Sequence, residues 1–238
     1  MNSDEAGLTQ KKLRLLMELR RAGIGDARVL GAIERTPRER FVPAAFEDRA
    51  YENIALPIGH GQTVSQPYIV ALMTEALILD ERHPVIEIGT GSGYQTAVLA
   101  RLCRRVFSIE RHRGLLIEAE RRFASLRLTN IVCRAGDGGK GWPEQLPYQR
   151  VIVTAAAAEV PAALADGLAM GGVLIVPVGP DHQDQKLLRI RRDGHGLSIE
   201  ELALSLPAKA WNDIRRRARV SSPSHLQVYR ASTQKNGS

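Results

Sequence analysis

Val85-Ile86-Glu87-Ile88-Gly89-Thr90-Gly91-Ser92-Gly93 decides the fold. An apolar, β-branched run ends here in three glycines, each separated by one residue. Such a run reads as a buried strand feeding a tight turn into a helix, with backbone N–H groups free at the helix start. Downstream, strand candidates recur at 85–89, 105–109, 130–134, 150–154 and 172–178. Helical stretches of about ten to fifteen residues separate them, the pattern of βαβ units. The runs Val151-Ile152-Val153 and Val173-Leu174-Ile175-Val176 predict central strands covered on both faces. The fold class is therefore α/β, a mostly parallel, doubly wound sheet. Lys186 to Arg192 and Leu197 to Leu206 alternate more loosely and predict antiparallel edge strands.

Upstream of the glycine turn the period changes. Leu8, Leu15, Leu16 and Leu19, then Val29, Leu30 and Ile33, fall at helical spacing. The Gly23-Ile24-Gly25-Asp26 break divides them into two helices, with Asp26 as N-cap of the second. Thr36-Pro37 ends that helix, a polar loop occupies Gly59–Ser65, and residues 68–79 return to helical periodicity. One domain over 1–230 is expected. Within it lie a helical and substrate-loop region (1–80), a cofactor-binding core (81–180) and C-terminal edge strands with a helix (181–230). Residues 231–238 are polar and expected to be disordered.

With 238 residues, 44% of them hydrophobic and 25% charged, the chain can bury one sizeable core and is not a disordered polymer. No apolar run approaches the ~20 residues that span a bilayer. The charged N-terminus lacks a signal-peptide core, so a cytoplasmic location is expected. Cys103 and Cys133 are too few for a disulfide framework and read as structural thiols. The six histidines offer no ligand pair at helical or hairpin spacing, so no metal is expected. The net charge of +7 raises a nucleic-acid surface as one reading. The arginines, however, are scattered in pairs, and only Arg215-Arg216-Arg217 with Arg219 forms a run, so solvated helix faces are the preferred reading over a nucleic-acid surface.

In open α/β sheets ligands sit beyond the carboxyl ends of the strands. Gly89, Gly91 and Gly93, with Thr90 and Ser92 between them, occupy that place. Their G-x-G-x-G spacing differs from the dinucleotide G-x-G-x-x-G, against a pyrophosphate ligand. Glu87 just before the turn would repel phosphate and tolerate a cation. The second strand ends at Ile109-Glu110, followed by Arg111; an acid about twenty residues past the glycines suits ribose hydroxyls. Gly136-Asp137-Gly138 closes the next strand, and its carboxylate could accept from an adenine amino group. Taken alone, Glu110 could equally be a surface charge. The three together describe a site for S-adenosylmethionine, with S-adenosylhomocysteine as product.

Two further sets of residues carry a resemblance. One runs Arg40-Phe41-Val42-Pro43, Ala50-Tyr51-Glu52-Asn53, Leu56-Pro57-Ile58-Gly59, then Gly61-Gln62-Thr63-Val64-Ser65-Gln66-Pro67-Tyr68 and Met73-Thr74-Glu75. The other runs Glu87 to Tyr94, Gly136-Asp137-Gly138, Gly141-Trp142, Val153-Thr154-Ala155-Ala156, Val160-Pro161 and Pro177-Val178-Gly179. From about residue 10 to 190 the chain resembles the protein-L-isoaspartate O-methyltransferases, and the Gly-Gln-Thr-x-Ser-Gln-Pro segment is the most specific part. The resemblance implies a Rossmann-like methyltransferase fold with N-terminal helices and a small C-terminal extension. It also implies methyl transfer from S-adenosylmethionine to the free α-carboxylate of isoaspartyl residues in damaged proteins or peptides, initiating repair through a succinimide. Ser65 is then the active-site serine, with Thr63 and Gln66 in the same wall and Leu206-Pro207 lining the substrate groove.

A carboxylate with a reference pKa of ~3.3–3.7 is ionised at neutral pH and needs no general base. That fits a signature without a histidine or cysteine nucleophile; His60, though inside the loop, reads as a surface imidazole. Ser65 is accordingly expected to orient the substrate carboxylate. Read without the resemblance, it could instead cap the helix that starts at Pro67.

Two departures stand out. Gln149 occupies a position where the family carries aspartate, expected to support the site from behind. Leu204-Ser205-Leu206-Pro207-Ala208 lacks the aromatic of the family's aromatic-Val-Pro-Leu segment, and residues 209–230, with Trp211 and Tyr229, match nothing recognisable. Two alternatives stay open on these grounds. One is a related carboxyl methyltransferase acting on a dedicated peptide or small acid. The other is a non-catalytic or nucleic-acid-binding protein, although Thr154-Ala155-Ala156-Ala157-Ala158 lacks the Asn/Asp-Pro-Pro-aromatic motif of base methyltransferases.

Overall fold

The computed structural model describes residues 3–155, 157–179 and 185–206. It opens with α1 (Ser3–Arg21) and α2 (Ala27–Arg35), followed by a short hairpin, β1 (Leu56–Gly59) and β2 (Gln62–Val64), and by α3 (Pro67–Ala76). The sheet and its helices follow as β3 (Pro84–Ile88), α4 (Tyr94–Ala100), β4 (Arg105–Glu110), α5 (Arg113–Ser125) and β5 (Ile131–Ala135). After these come β6 (Tyr148–Val153), α6 (Ala162–Asp166), β7 (Leu168–Val178), β8 (Gln185–Asp193) and β9 (Gly196–Leu206). Seven strands pair in the order β5-β4-β3-β6-β7-β8-β9. The first five run parallel, and β8 and β9 are antiparallel additions on one side. From β3 the chain moves outward to β4 and β5, then returns to β6 on the other flank of β3. That reversal creates the crevice where α/β folds bind ligands.

Period-2 alternation sorts the strand side chains between two buried layers. Val85 and Ile152 pack with α1 to α5 in one cluster; Ile86, Ile88, Val151 and Val153 pack with Trp142, Tyr148 and Leu164 in the other. Both faces are therefore covered, which is why these strands read as continuous apolar runs rather than alternating ones.

Helix α2 starts as its sequence requires: the Asp26 carboxylate accepts from the N–H groups of Arg28 and Val29. The Gly25 and Asp26 N–H groups in turn donate to Glu75 Oε1 on α3, at 2.8 and 2.6 Å. This ties the N-terminal helices to the helix that follows the polar loop.

Two strands extend further than expected. β6 starts at Tyr148 and β7 at Leu168, because a register shift between Tyr148 and Arg150 absorbs the Gly171-Gly172 pair. Gly171 takes φ +73°, and a Cβ at Gly172 would meet backbone atoms of Ala169 and Tyr148 at 3.0 Å or less. The two glycines thus form a bulge inside a strand. The antiparallel pair expected at 186–192 and 197–206 is present as β8 and β9. The helix and tail expected beyond β9, Pro207 included, lie outside the described residues.

Candidate active site

A cavity of about 1010 Å³ opens at the carboxyl ends of β3, β4 and β6. Gly89 to Ser92, Glu110, Arg111, Asp137 and Gly138 line one part of it, and Thr63 and Ser65 another. Residues as far apart in sequence as Thr63 and Gly138 thus line one cavity, through the switch in strand order and the return of the β1–β2 hairpin toward the glycine turn.

The glycine turn is stitched to its surroundings by backbone bonds. Gly89 N donates to the Ile109 carbonyl (2.8 Å), Gly91 N to Glu110 Oε2 (2.9 Å) and Gly93 N to the Thr90 carbonyl (2.8 Å). These three N–H groups are therefore engaged within the protein and are not available to cradle a pyrophosphate. The glycines also differ in purpose. Gly91 (φ +54°) has only Ile58 near a virtual Cβ, at 3.7 Å, which leaves the turn open to the cavity. Gly93 (φ +89°) faces away from it: a Cβ there would lie 2.6 Å from the Phe123 ring on α5. Grouped with the cofactor-binding residues on its sequence, Gly93 instead permits helix packing and does not line the cavity.

Glu87 differs from expectation in the same way. Alternation along β3 turns it from the cavity side, and it is fully buried. Its Oε2 accepts from Thr96 Oγ1 and Ser108 Oγ, both at 2.6 Å, and Ser108 Oγ lies 2.6 Å from Thr90 Oγ1. A chain of hydroxyls therefore joins this carboxylate to the glycine turn from below. Burial raises the Glu87 pKa to about 7, against the hydrogen bonds from Ser108 and Thr96, and the nearby charge of Glu110 adds to the rise.

Glu110 ends β4, is 5% exposed, and borders the cavity. Besides the bond from Gly91, its Oε1 accepts from His112 N at 2.8 Å. An ionised carboxylate has about four acceptor positions. Two hold the carboxylate rigid, which leaves capacity for hydroxyl donors. Asp137 begins the 3-10 turn Gly138–Lys140, with Oδ1 accepting from Gly139 N at 3.0 Å. Gly138 is obligatory here, since a Cβ would come within 2.2 Å of Ile88 Cγ2. Arg111 and His112 complete that side. His112 stacks on His60 at the hairpin tip, with ring centroids 5.7 Å apart. The six-histidine inventory gave no hint of this pair, because its two members come from distant segments.

Ser65 lies between β2 and α3. The helix N-cap is Gln66, whose side chain makes no capping bond. The first-turn N–H of Tyr68 donates instead to Asn53 Oδ1 at 2.9 Å. Helix capping, the alternative role for Ser65, thus falls to Asn53, and Ser65 borders the cavity. Gln66, expected beside it, is not among the cavity-lining residues, because the turn into α3 carries it away. Beneath, Gln95 Nε2 donates to Thr74 Oγ1 at 2.9 Å and locks α4 to α3. Leu206 pairs with Gln185 in β9, and Pro207 lies outside the described residues.

Gln149 is exposed at the amino end of β6, the opposite end from the cavity. It stands apart from the cavity-lining residues and does not support the site from behind. Cys103 and Cys133 are free thiols whose pKa values burial pushes up to about 12. Among the described residues no group of three or more His, Cys, Asp or Glu is arranged to hold a metal ion, and no helix is long and apolar enough to cross a membrane.

Comparison with known proteins agrees with this geometry. Residues 10–205 match the family model for protein-L-isoaspartate(D-aspartate) O-methyltransferase. A Rhodospirillum centenum protein-L-isoaspartate O-methyltransferase is 60% identical over 193 residues, 81% of this chain and 87% of its own length. Its counterpart from Rhodospirillum rubrum is 58% identical over 192 residues, 80% of this chain and 88% of that protein. Among solved structures, one assigned as a protein-L-isoaspartate O-methyltransferase from Plasmodium falciparum, in complex with S-adenosyl-L-homocysteine, superposes with a TM-score of 0.70. It is 26% identical and covers 82% of this chain and 94% of that one. Another protein-L-isoaspartate O-methyltransferase structure, 28% identical, also gives 0.70 and covers 84% of this chain and 67% of that one. Fold, cavity and sequence converge: the chain belongs to the protein-L-isoaspartate(D-aspartate) O-methyltransferase family.

Proposed function

We propose a division of roles around the cavity for the family's reaction, methyl transfer from S-adenosylmethionine to the free α-carboxylate of L-isoaspartyl residues in proteins. When bound, S-adenosylmethionine supplies an electrophilic methyl group on a positively charged sulfur. The donor set suits such a ligand. Glu110 and Asp137 offer acceptors for hydroxyl and amino groups, and the three glycine N–H groups of the turn are already engaged. In this reading Glu110 takes the ribose hydroxyls, Asp137 and Gly138 border the base, Arg111 lies alongside, and Gly89 to Ser92 receive the amino-acid part.

The substrate carboxylate is ionised at neutral pH, so no residue has to remove a proton. What remains is alignment and exclusion of water, and orientation can be worth up to ~7–11 kcal/mol. Ser65 donates its hydroxyl hydrogen to one carboxylate oxygen and directs the other toward the methyl group. Thr63 flanks it on the same wall. The single observation that carries this reading is that Ser65, relieved of helix capping by Asn53, shares one cavity with Glu110 and the glycine turn. The shared buried cluster of α1 to α5 with the sheet supports treating the described residues as one domain. A cytoplasmic location suits an enzyme that repairs intracellular proteins.

The test is labelled methyl transfer to paired synthetic peptides differing only in isoaspartate or aspartate at one position. Transfer to the isoaspartyl peptide alone is expected. Transfer to neither, with S-adenosylhomocysteine still bound, would refute the substrate assignment.

A further inference from the structure

Directly behind Ser65 lies an arginine whose charge no carboxylate among the described residues balances. Arg38 begins a 3-10 turn (Arg38–Phe41) and is 0% exposed. Its Nη2 donates to two carbonyl oxygens, that of Ser65 at 2.9 Å and that of Ile54 at 3.2 Å. Its guanidinium carbon stands 4.7 Å from the centroid of the Tyr94 ring. Nε and Nη1, buried with it, have no hydrogen-bond partner. Its interactions include no carboxylate among the described residues; the neighbouring Glu39 is occupied by the Tyr51 hydroxyl.

A guanidinium offers five N–H donors; Nη2 spends its two on carbonyl oxygens, and the Tyr94 hydroxyl is a further polar group against it. Burial draws its pKa below the ordinary value, yet arginine starts so high that it stays charged. Two carbonyl dipoles with the ring and hydroxyl of Tyr94, none of them an anion, offset only part of the desolvation, and breaking the balance of a buried charge is strongly destabilising. Structural need alone explains this poorly, because an apolar residue of equal volume would pack there without that cost. The two residues that Arg38 holds in common are informative. Ser65 and Tyr94 both line the cavity, whereas Arg38 does not. The positive charge thus stands one layer behind the surface where an anionic group is expected, in a medium that screens it weakly.

We propose that Arg38 is a positioning residue and buried countercharge for the substrate: it fixes Ser65 through the Ser65 carbonyl, and its unbalanced charge makes this wall prefer a carboxylate to a neutral group. The inference rests on the reading of Ser65 given above. It adds a consequence that reading lacks. Methyl transfer turns the carboxylate into an uncharged ester, so the interaction that holds the substrate weakens as product forms. Charge neutralisation then favours release.

The test compares two peptides in calorimetry with saturating S-adenosylhomocysteine: an isoaspartyl peptide and the same peptide with its α-carboxylate replaced by carboxamide. The wild-type protein is expected to bind the acid more tightly by roughly tenfold. In Arg38→Met that preference disappears while S-adenosylhomocysteine affinity stays within about twofold of wild type. Arg38→Lys, which retains the charge, preserves most of it. A merely structural role would weaken both peptides alike and leave their ratio intact. Should Arg38→Met fail to fold, Arg38→Gln and Arg38→Lys carry the comparison, with loss expected in the first and retention in the second. Equal binding of the two peptides by wild type, or an unchanged ratio in the folded neutral variant, overturns the proposal. Either result with methyl transfer intact spares the assigned function, whereas no transfer from wild type to the isoaspartyl peptide removes both.

Discussion

Glu110 Oε2 accepts a hydrogen bond from Gly91 N at 2.9 Å, so the end of one parallel strand is fastened to the turn that ends its neighbour. This bond determines what the turn can bind. It takes up an N–H that a phosphate would otherwise use, and it presents a rigid, nearly buried carboxylate to whatever enters. Glu110→Gln should weaken S-adenosylhomocysteine binding by roughly tenfold to a hundredfold, the scale of a lost hydrogen bond to a charged group. Calorimetric titration reads this directly, and an affinity equal to wild type would dismantle the proposed ribose contact.

Ser65→Ala separates orientation from cofactor binding. Turnover with the isoaspartyl peptide should fall by about tenfold to a hundredfold, with S-adenosylhomocysteine affinity unchanged within error. Because Asn53 supplies the bond to the first turn of α3, the melting temperature should hardly move. A large loss of cofactor affinity, or a drop in melting temperature like that of a lost cap, would contradict the orienting role.

Glu87 predicts a pH dependence of stability. Its folded pKa is raised to about 7, above the ordinary 4.5. The native state therefore binds more protons than the unfolded chain between these values, and its contribution to stability falls as pH rises through that window. The integrated effect is on the order of 3 kcal/mol. Urea titrations at pH 5 and pH 8 should show it, and Glu87→Gln should flatten the difference. Equal slopes in variant and wild type would place the pH dependence elsewhere.

Gly93→Ala tests a glycine whose purpose is packing. At φ +89° with the Phe123 ring 2.6 Å from the added methyl, strain and overpacking coincide. A loss of about 2–4 kcal/mol of stability is expected. Thermal or urea unfolding measures it, and in protein kept folded at low temperature S-adenosylhomocysteine should still bind. Undiminished stability would show that α5 yields freely at this contact.

The parallel core was legible because β-branched runs buried on both faces leave a strong trace, as Val151-Ile152-Val153 does. The β1–β2 hairpin was not. Gly59, His60 and Gly61 all take positive φ at its tip, and so dense a turn hides the short strands on either side. In the site, Ser65, Glu110, Asp137 and the Gly89–Ser92 turn stand out by residue type at strand ends. Glu87 and Gly93 were grouped with them because proximity in sequence says nothing about parity along a strand or the face of a turn. Counting alternation back from Ile88 would have turned Glu87 inward. Arg38 left no trace, since one arginine among many reveals its burial only once Ser65 and Tyr94 are brought against it.

The bonds from Gly25 and Asp26 to Glu75 have a consequence for how the enzyme itself ages. They hang the helix that follows Ser65 from a joint between α1 and α2 that depends on one aspartate side chain and two backbone N–H groups. Isomerisation at Asp26 would reroute the backbone through that side chain, remove the cap and shift the joint by one bond. This protein thus carries, at the far end of the helix that follows Ser65, a residue type susceptible to the lesion its family repairs, and a backbone pinned by two hydrogen bonds to Glu75 resists the ring closure that begins it.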